Sequence, residues 1–378
     1  MTRRAFRLSV LIALWALTLS GLTPAHAQQG FVPPGFERAA AAQGAHGRDL
    51  ANIDVGVGLG LSPGGEPALL VLTEDLGVGG IPRRLDGVPV IVKVSGKVYA
   101  RPKPNCDVDP THPSCGGDSG SGDTTGAFDR TARQDVPVPI GVSTGNGTSC
   151  SAGTIGALLV AGNAHYAMSN NHVYVPSNNP NAIGQSIRQQ GVYDTSNCVL
   201  SETQAIGTLH AFVRLDFTGG INTVDVAIAA VDQCNGGSCV GSATPAEEGY
   251  GQPAGGTGVD VSVGESVMKY GRTTGETVGT VIGVNFGTVN VSYPNGTAKF
   301  DDQIVVEGDK GGFLKAGDSG SLLVLSNGSN DVVGLCFASG RGGKIAFCNP
   351  IGLVLDALAG DANLVGTPVN DPQIDGGS

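Results

Sequence analysis

Read for the alternation of apolar and polar side chains, the chain is mostly strand. Apolar residues occupy every second position of Ile53-Asp54-Val55-Gly56-Val57-Gly58-Leu59-Gly60-Leu61. Short apolar runs follow at 68–73 and 88–94, with Asp86-Gly87 and Ser95-Gly96 as turns. The Ala-rich stretch from Phe36 to Gln43 predicts a short helix, so 36–100 reads as a small α+β domain. Glycines 56, 58 and 60 do not make a nucleotide loop. That motif must open a helix, and here Ser62-Pro63-Gly64-Gly65 makes a turn.

From 101 to 135 the pattern lapses. RPKPNCDVDPTHPSCGGDSGSGDTTG is mostly Pro, Gly, Ser and Asp, has almost no apolar residues and cannot bury a core, so it reads as a linker. The alternation resumes near Val136 and lasts to Ala338. It predicts a hairpin of 154–160 and 165–168 around Gly162-Asn163, then strands at 222–231, 266–270, 277–284 and 288–293. Runs 322–325 and 332–337 flank the turn Ser326-Asn327-Gly328. The last element reads as a helix capped by Asn349 and begun by Pro350, with Ile351, Val354, Leu355 and Leu358 on one face. Many short strands and few helices predict barrels or sandwiches.

Of 378 residues 61 are Gly, only 5% are aromatic and 15% charged; strands joined by tight glycine turns give that mix, as would a glycine-rich disordered segment, and the apolar alternation favours strands. The first residues change the picture. Arg3, Arg4 and Arg7 precede an apolar run from Leu8 to Leu22, and Ala25-His26-Ala27 has the small-x-small form of a cleavage site. Residues 1–27 are thus expected to be a signal peptide rather than an anchor, because the run is short for a bilayer span. The twin arginines in Thr2-Arg3-Arg4-Ala5-Phe6 leave the export route open between the general and twin-arginine systems. The product is expected outside the cytoplasm, secreted or periplasmic, with no membrane span. Without 1–27 the chain carries 19 basic against 33 acidic residues, a net charge of −14. That charge disfavours nucleic acid and anionic membranes as partners.

Eight cysteines follow the signal segment, an even number in an exported chain. Sequence does not fix their connectivity. The local pairing Cys106–Cys115, Cys150–Cys198, Cys234–Cys239 and Cys336–Cys348 is the expectation taken here. No CxxC or HExxH pattern points to a metal, and no cofactor motif is present.

The pentapeptide GDSGS occurs twice, at 117–121 and at 317–321. A serine hydroxyl is a poor nucleophile unless a base is fixed within hydrogen-bond reach. Ser119 lies in the linker, where nothing can fix a base. Ser319 precedes the strand 322–325, and Gly317 and Gly320 let the backbone turn tightly. The amides of Gly317 and Ser319 then make a candidate oxyanion hole. A strand-initiating turn would look the same. Of the histidines in the large domain, His172 sits where a strand ends in Met168-Ser169-Asn170-Asn171-His172-Val173, while His165 lies mid-strand. Asp225, flanked by apolar residues in Thr223-Val224-Asp225-Val226-Ala227-Ile228, is costly to bury unless a donor such as an imidazole meets it. Its alternative is a solvent-facing strand edge.

His172, Asp225 and Ser319 follow the His…Asp…Ser chain order. Together with GTIGALLVAGNAHYAMSNNHV, VDVAIAAV, GRTTGETVGTV, AGDSGSLL and VVGLCFASG, they make residues 136–366 resemble the chymotrypsin-like serine peptidases, in particular the secreted bacterial ones. The resemblance implies two perpendicular β-barrels and a triad in the cleft between them. It also implies protein or peptide substrates and hydrolysis through an acyl-enzyme. His172 and Asp225 would come from the first barrel and Ser319 from the second. Phe313, six residues before Ser319, stands where the family has the floor of its primary pocket, and 337–340 from Phe337 onward would line the wall. No aspartate stands at the floor, which speaks against a Lys or Arg preference. Asp318 is expected to meet a fixed internal partner, since no trimmed amino terminus is evident. The 36–100 segment is expected to be a pro-domain that assists folding or covers the cleft, with a substrate- or wall-binding domain as the rival reading. The competing reading is a protease-like binding module with little turnover.

Overall fold

The computed structural model describes residues 31–51, 56–100, 103–104 and 128–377. The expected signal peptide, Ser119, the expected Cys106–Cys115 pair and most of the expected linker lie outside the described residues. Helix α1 (Glu37–Ala51) is longer than the Ala-rich stretch alone predicted and buries Ala39, Ala42 and Leu50. It packs on strands β1 (Gly56–Leu61), β2 (Pro67–Thr73) and β3 (Val88–Val94). Two short strands follow, β4 (Val98–Ala100) and β5 (Lys103–Pro104). β2 is apolar without alternation because both its faces are covered: Leu69 and Val71 enter one core cluster, Leu70 and Leu72 another.

The next strands are β6 (Ser143–Asn146), β7 (Ser151–Thr154), β8 (Ala157–Ala161) and β9 (Ala164–Ser169). After the short helix α2 (Asn171–Tyr174) come β10 (Ser186–Gln189), β11 (Gln204–Val213) and β12 (Ala227–Val231). These close on themselves. β6 pairs with β7, β8 with β9, β9 with β12, β12 with β11, β11 with β10, and β10 returns to β6. β7 and β8 act as one bent strand, tied by the Gly156 amide to the Met168 carbonyl at 2.8 Å. Ile140, Leu158, Ala167, Ile187, Ile206 and Phe212 belong to the core of this ring.

A second ring uses β13 (Ser266–Gly271) and β14 (Gly275–Gly287). The hairpin β15 (Val289–Tyr293) and β16 (Gly296–Phe300) then leaves it. It is completed by β17 (Gln303–Gly308), β18 (Leu322–Leu325), β19 (Val332–Ser339) and β20 (Ile345–Pro350). Pairing runs β13–β14–β17–β20–β19–β18 and back to β13, antiparallel at every step. The fold is therefore mostly β with two closed barrels, and helix α3 (Ile351–Gly360) packs between them. Leu159, Met168, Val224, Val226, Leu322, Val332, Leu335, Val354 and Leu358 share the cluster that joins the barrels.

Residues 37–100 extend the second ring. β1 pairs with β14 and β2, and β4 lies between β15, parallel, and β19, antiparallel. The glycines of β1 have a packing reason: a Cβ at Gly58 would stand 2.8 Å from the Phe286 Cα. Three disulfides close as expected, Cys150–Cys198, Cys234–Cys239 and Cys336–Cys348.

Two expectations need correction. The run 222–231 is not one strand: a two-residue strand at Ile221–Asn222 is followed by 223–226 outside any strand, and β12 starts at Ala227. Val224 and Val226 still share one core cluster, as alternation predicts, and Asp225 between them meets His172 instead. Nor does Asn349 cap α3. The cap position is Pro350, without a side-chain hydrogen bond, and Asn349 serves Asp225 instead.

Candidate active site

The His172 helix is only one turn long, yet three asparagines pin it. The Asn170 side chain donates to the Asp225 carbonyl at 2.7 Å, Asn171 to the Val213 carbonyl at 2.7 Å, and Asn146 to the Tyr174 carbonyl at 2.8 Å. His172 then presents Nδ1 to Asp225 Oδ2 at 2.6 Å, with side-chain exposures of 6% and 0%. The His172 backbone N–H reaches the other carboxylate oxygen at 3.3 Å. The second ring nitrogen, Nε2, is buried and has no hydrogen-bond partner among the described residues.

Two side chains that the sequence reading missed complete the surroundings of Asp225. The Tyr293 hydroxyl donates to Oδ2 at 2.8 Å, and Asn349 Oδ1 accepts the Asp225 backbone N–H at 2.9 Å. No local pattern marks either, because each stands tens of residues from Asp225 in the chain.

Ser319 is fully buried on the loop before β18. Gly317 holds φ +95°, and a Cβ there would stand 2.5 Å from Thr273 Oγ1 and 2.8 Å from an Arg272 nitrogen. Only glycine fits. The N–H groups of Gly317 and Ser319 donate no hydrogen bond to any described residue. Asp318 Oδ1 accepts from the Thr273 and Thr274 amides at 2.8 and 3.0 Å. Its Oδ2 accepts from the Lys315 amide at 2.9 Å and the Thr274 hydroxyl at 2.8 Å, with buried Lys269 Nζ at 3.6 Å. Burial lowers the Lys269 ammonium below its ordinary range, and the Asp318 charge opposes that shift. Asp318 thus has a fixed internal partner.

The barrels meet at this loop through Thr154 of β7. Its N–H donates to the Ser319 carbonyl at 2.8 Å, its hydroxyl to the Gly317 carbonyl at 2.9 Å, and its own carbonyl accepts from Ser169 Oγ at 2.7 Å. Ser169 lies three residues before His172. The Ser319 hydroxyl itself donates to the Phe337 carbonyl at 3.3 Å rather than to the imidazole. The Phe337 ring is buried against Phe300, with centroids 4.7 Å apart, while Phe313 sits in the second-barrel core with Val281 and Val306. An open cleft of about 640 Å³, lined by Asn178, Arg214, Phe217 and Asn295, lies beside Tyr293, whose ring Phe217 contacts edge-on. Among the described residues no group of His, Cys, Asp and Glu could hold a metal.

No protein-family model matches the chain, and no curated protein sequence matches it. Solved structures do. A glutamic-acid-specific serine protease is similar at 20% identity and TM-score 0.40, covering 58% of this chain and 97% of its own. A homolog of alpha-lytic protease is similar at 21% identity and TM-score 0.40, over 58% of this chain and 96% of its own. The chymotrypsin of Cellulomonas bogoriensis is similar at 20% identity and TM-score 0.38, over 61% of this chain and 98% of its own.

Proposed function

We propose that the chain is a serine endopeptidase. Ser319 attacks the scissile carbonyl, His172 Nε2 takes its proton and returns it to the leaving amine, and Asp225 fixes the imidazole tautomer and stabilises the imidazolium. The amides of Gly317 and Ser319 receive the developing oxyanion, each such donor being worth roughly 3–4 kcal/mol in the transition state. The observation that carries this reading is the buried His172–Asp225 pair at 2.6 Å, whose other ring nitrogen is left without a partner. A purely structural imidazole in that position would be expected to use both nitrogens. Phe313 and Phe337 stay the proposed pocket positions for an apolar or small side chain at the cut site, but with both rings packed into core clusters it is their main chain that would line it. Three closed disulfides fit an oxidising, extracytoplasmic compartment.

The N-terminal segment supplies the cover over the cleft in this reading. β4 lies antiparallel on Ala338 and Ser339, directly after the Phe337 carbonyl that faces Ser319. β5 lies antiparallel on Ser151 and Ala152, two residues before Thr154, which bonds the Ser319 carbonyl. The chain therefore passes from one barrel to the other on the strands that flank Ser319, with Arg101 and Pro102 between in sequence. Main-chain pairing of this kind is how an extended peptide docks on a sheet edge. Full burial of Ser319 agrees. That burial also favours the second reading, a binding module whose cleft is permanently blocked.

One experiment separates the two. The full chain is treated with a fluorophosphonate, and casein turnover is measured before and after limited proteolysis within 101–135. The endopeptidase reading expects slow labelling that accelerates, with turnover appearing, once the segment is cut. Labelling must vanish in Ser319→Ala and persist in Ser119→Ala. No labelling or turnover after complete cutting would leave the binding module.

A further inference from the structure

The Asp225 carboxylate has an unusual division of donors. Among the described residues Oδ2 receives two donors, the His172 Nδ1–H at 2.6 Å and the Tyr293 hydroxyl at 2.8 Å, whereas Oδ1 receives the long bond from the His172 amide at 3.3 Å. Tyr293 belongs to neither ring of strands. It ends β15, in the hairpin that leaves the second barrel, and that strand is held by β16 on one side and by β4 on the other. Its ring is clamped edge-on by His172 and Phe217, with centroids 5.8 and 5.5 Å away, and lies near-parallel to Phe300 at 6.2 Å. Only the hydroxyl has a polar task, and the task is Asp225.

A wholly buried carboxylate is costly unless donors meet it, and a charge-assisted O–H···O⁻ bond is among the stronger ones a protein can offer. Burial, and then the Asp225 charge, push the Tyr293 phenol well above its ordinary range, so the hydroxyl stays protonated and can only donate to the carboxylate. Two donors on one oxygen also fix the rotation of the carboxylate about its Cβ–Cγ bond. That sets the direction from which it holds the imidazole.

We propose that Tyr293 is a positioning residue of the reaction: its hydroxyl orients Asp225 toward His172 from outside both barrels. The proposal rests on the endopeptidase reading for its kinetic consequence, but its geometric content does not. Among the described residues the Tyr293 hydroxyl bonds Asp225 and not Ser319, so it acts through Asp225, while its ring packs edge-on against the His172 imidazole.

Tyr293→Phe removes the hydroxyl and keeps the ring, and Tyr293→Leu removes both. Two measurements on the full chain, after cutting within 101–135, test the idea. The first is the proton NMR signal of the His172 Nδ1–H, assigned by its loss in His172→Gln. In Tyr293→Phe, Asp225 loses a competing donor and grips the imidazole more tightly, so the signal is expected further downfield. The second is peptide hydrolysis, where kcat is expected to fall about tenfold with KM unchanged. Full activity and an unmoved signal in Tyr293→Phe, with losses confined to Tyr293→Leu, would identify a packing role and overturn the proposal. If no turnover occurs in any form, the endopeptidase reading fails on its own. An NMR signal that still moves would then uphold the orientation of Asp225, and an unmoved one would overturn it.

Discussion

Asp225 and Asp318 are both wholly buried, and they are held in opposite ways. Asp318 is saturated. Three backbone amides, a hydroxyl and a buried ammonium surround its two oxygens, and all come from residues 269–315 of its own barrel. Asp225 receives side-chain donors from two separate parts of the fold: His172 from the first barrel, Tyr293 from the hairpin that leaves the second. One of those donors carries an unpartnered nitrogen on its far side. The first arrangement can only hold a loop in place. The second can pass a change of charge through the imidazole, which is what a proton-transfer site needs.

The largest expected effect breaks the pair apart by isosteric exchange. Asp225→Asn should leave the fold nearly intact, because the amide can still accept from Tyr293, yet lower turnover about ten-thousandfold by favouring the wrong tautomer. Asp318→Ala should do the reverse. It leaves Lys269 buried without its counter-charge and three amides unpaired, so a loss of stability of about 3–5 kcal/mol is expected, with activity failing through unfolding. Chemical denaturation and turnover, measured on both variants, check this. Equal stability losses in the two, or full turnover in Asp225→Asn, would erase the distinction.

The same contrast explains what could be read from sequence. Strands 88–94 and 322–325 match the expected runs to the residue, since each is short, apolar and bounded by turn residues. β17 escaped notice because a strand inside a closed ring, with nearly every residue of Gln303–Gly308 buried, has no polar alternation. β11 escaped because its register shifts between Leu209 and Ala211 and breaks the period of two. In the site, Asp225 could be picked out by the anomaly of an acid among valines. Tyr293 and Asn349 could not, because a tyrosine ending a strand and an asparagine before a proline are both ordinary. Their partners come near only when hairpin and barrel close on a residue 68 or 124 positions away.

Asn349 sharpens the comparison further, since it shows that even the main chain of Asp225 is held by the second barrel. Its side chain accepts the Asp225 N–H at 2.9 Å and donates to Gln303 Oε1 at 2.6 Å. Asn349→Ala leaves both buried partners unsatisfied, which should cost about 2–3 kcal/mol of stability. Turnover should fall too, but far less than in Asp225→Asn, because the carboxylate keeps its side-chain donors. Denaturation midpoints and kcat of the single variant check the order. A stability equal to that of the parent would mean that the two barrels are not joined through this residue.

Glu307 provides the weak end of the scale, a carboxylate that is neither saturated nor poised. It ties β3 to β17 through Lys93 and also meets Lys344 Nζ at 2.9 Å, with a quarter of its side chain exposed. Burial alone would raise its carboxyl, but hydrogen bonds and charge from Lys93 and Lys344 outweigh it and hold the group below its ordinary value of 4.5. A carboxyl lowered in the folded state contributes stability that is complete above the ordinary value and is lost as pH falls through the lower folded one. Water screens partly exposed pairs, so the contribution should stay at or below about 1 kcal/mol. Glu307→Gln should therefore be slightly less stable than the parent at neutral pH, and the two should converge in acid. Amide exchange across 88–94, followed against pH in both chains, reads this directly. A difference that persists below the carboxylate range would show that the glutamine perturbs packing rather than charge. The tie between the N-terminal segment and the barrel would then rest on main-chain pairing and apolar packing rather than on this charge.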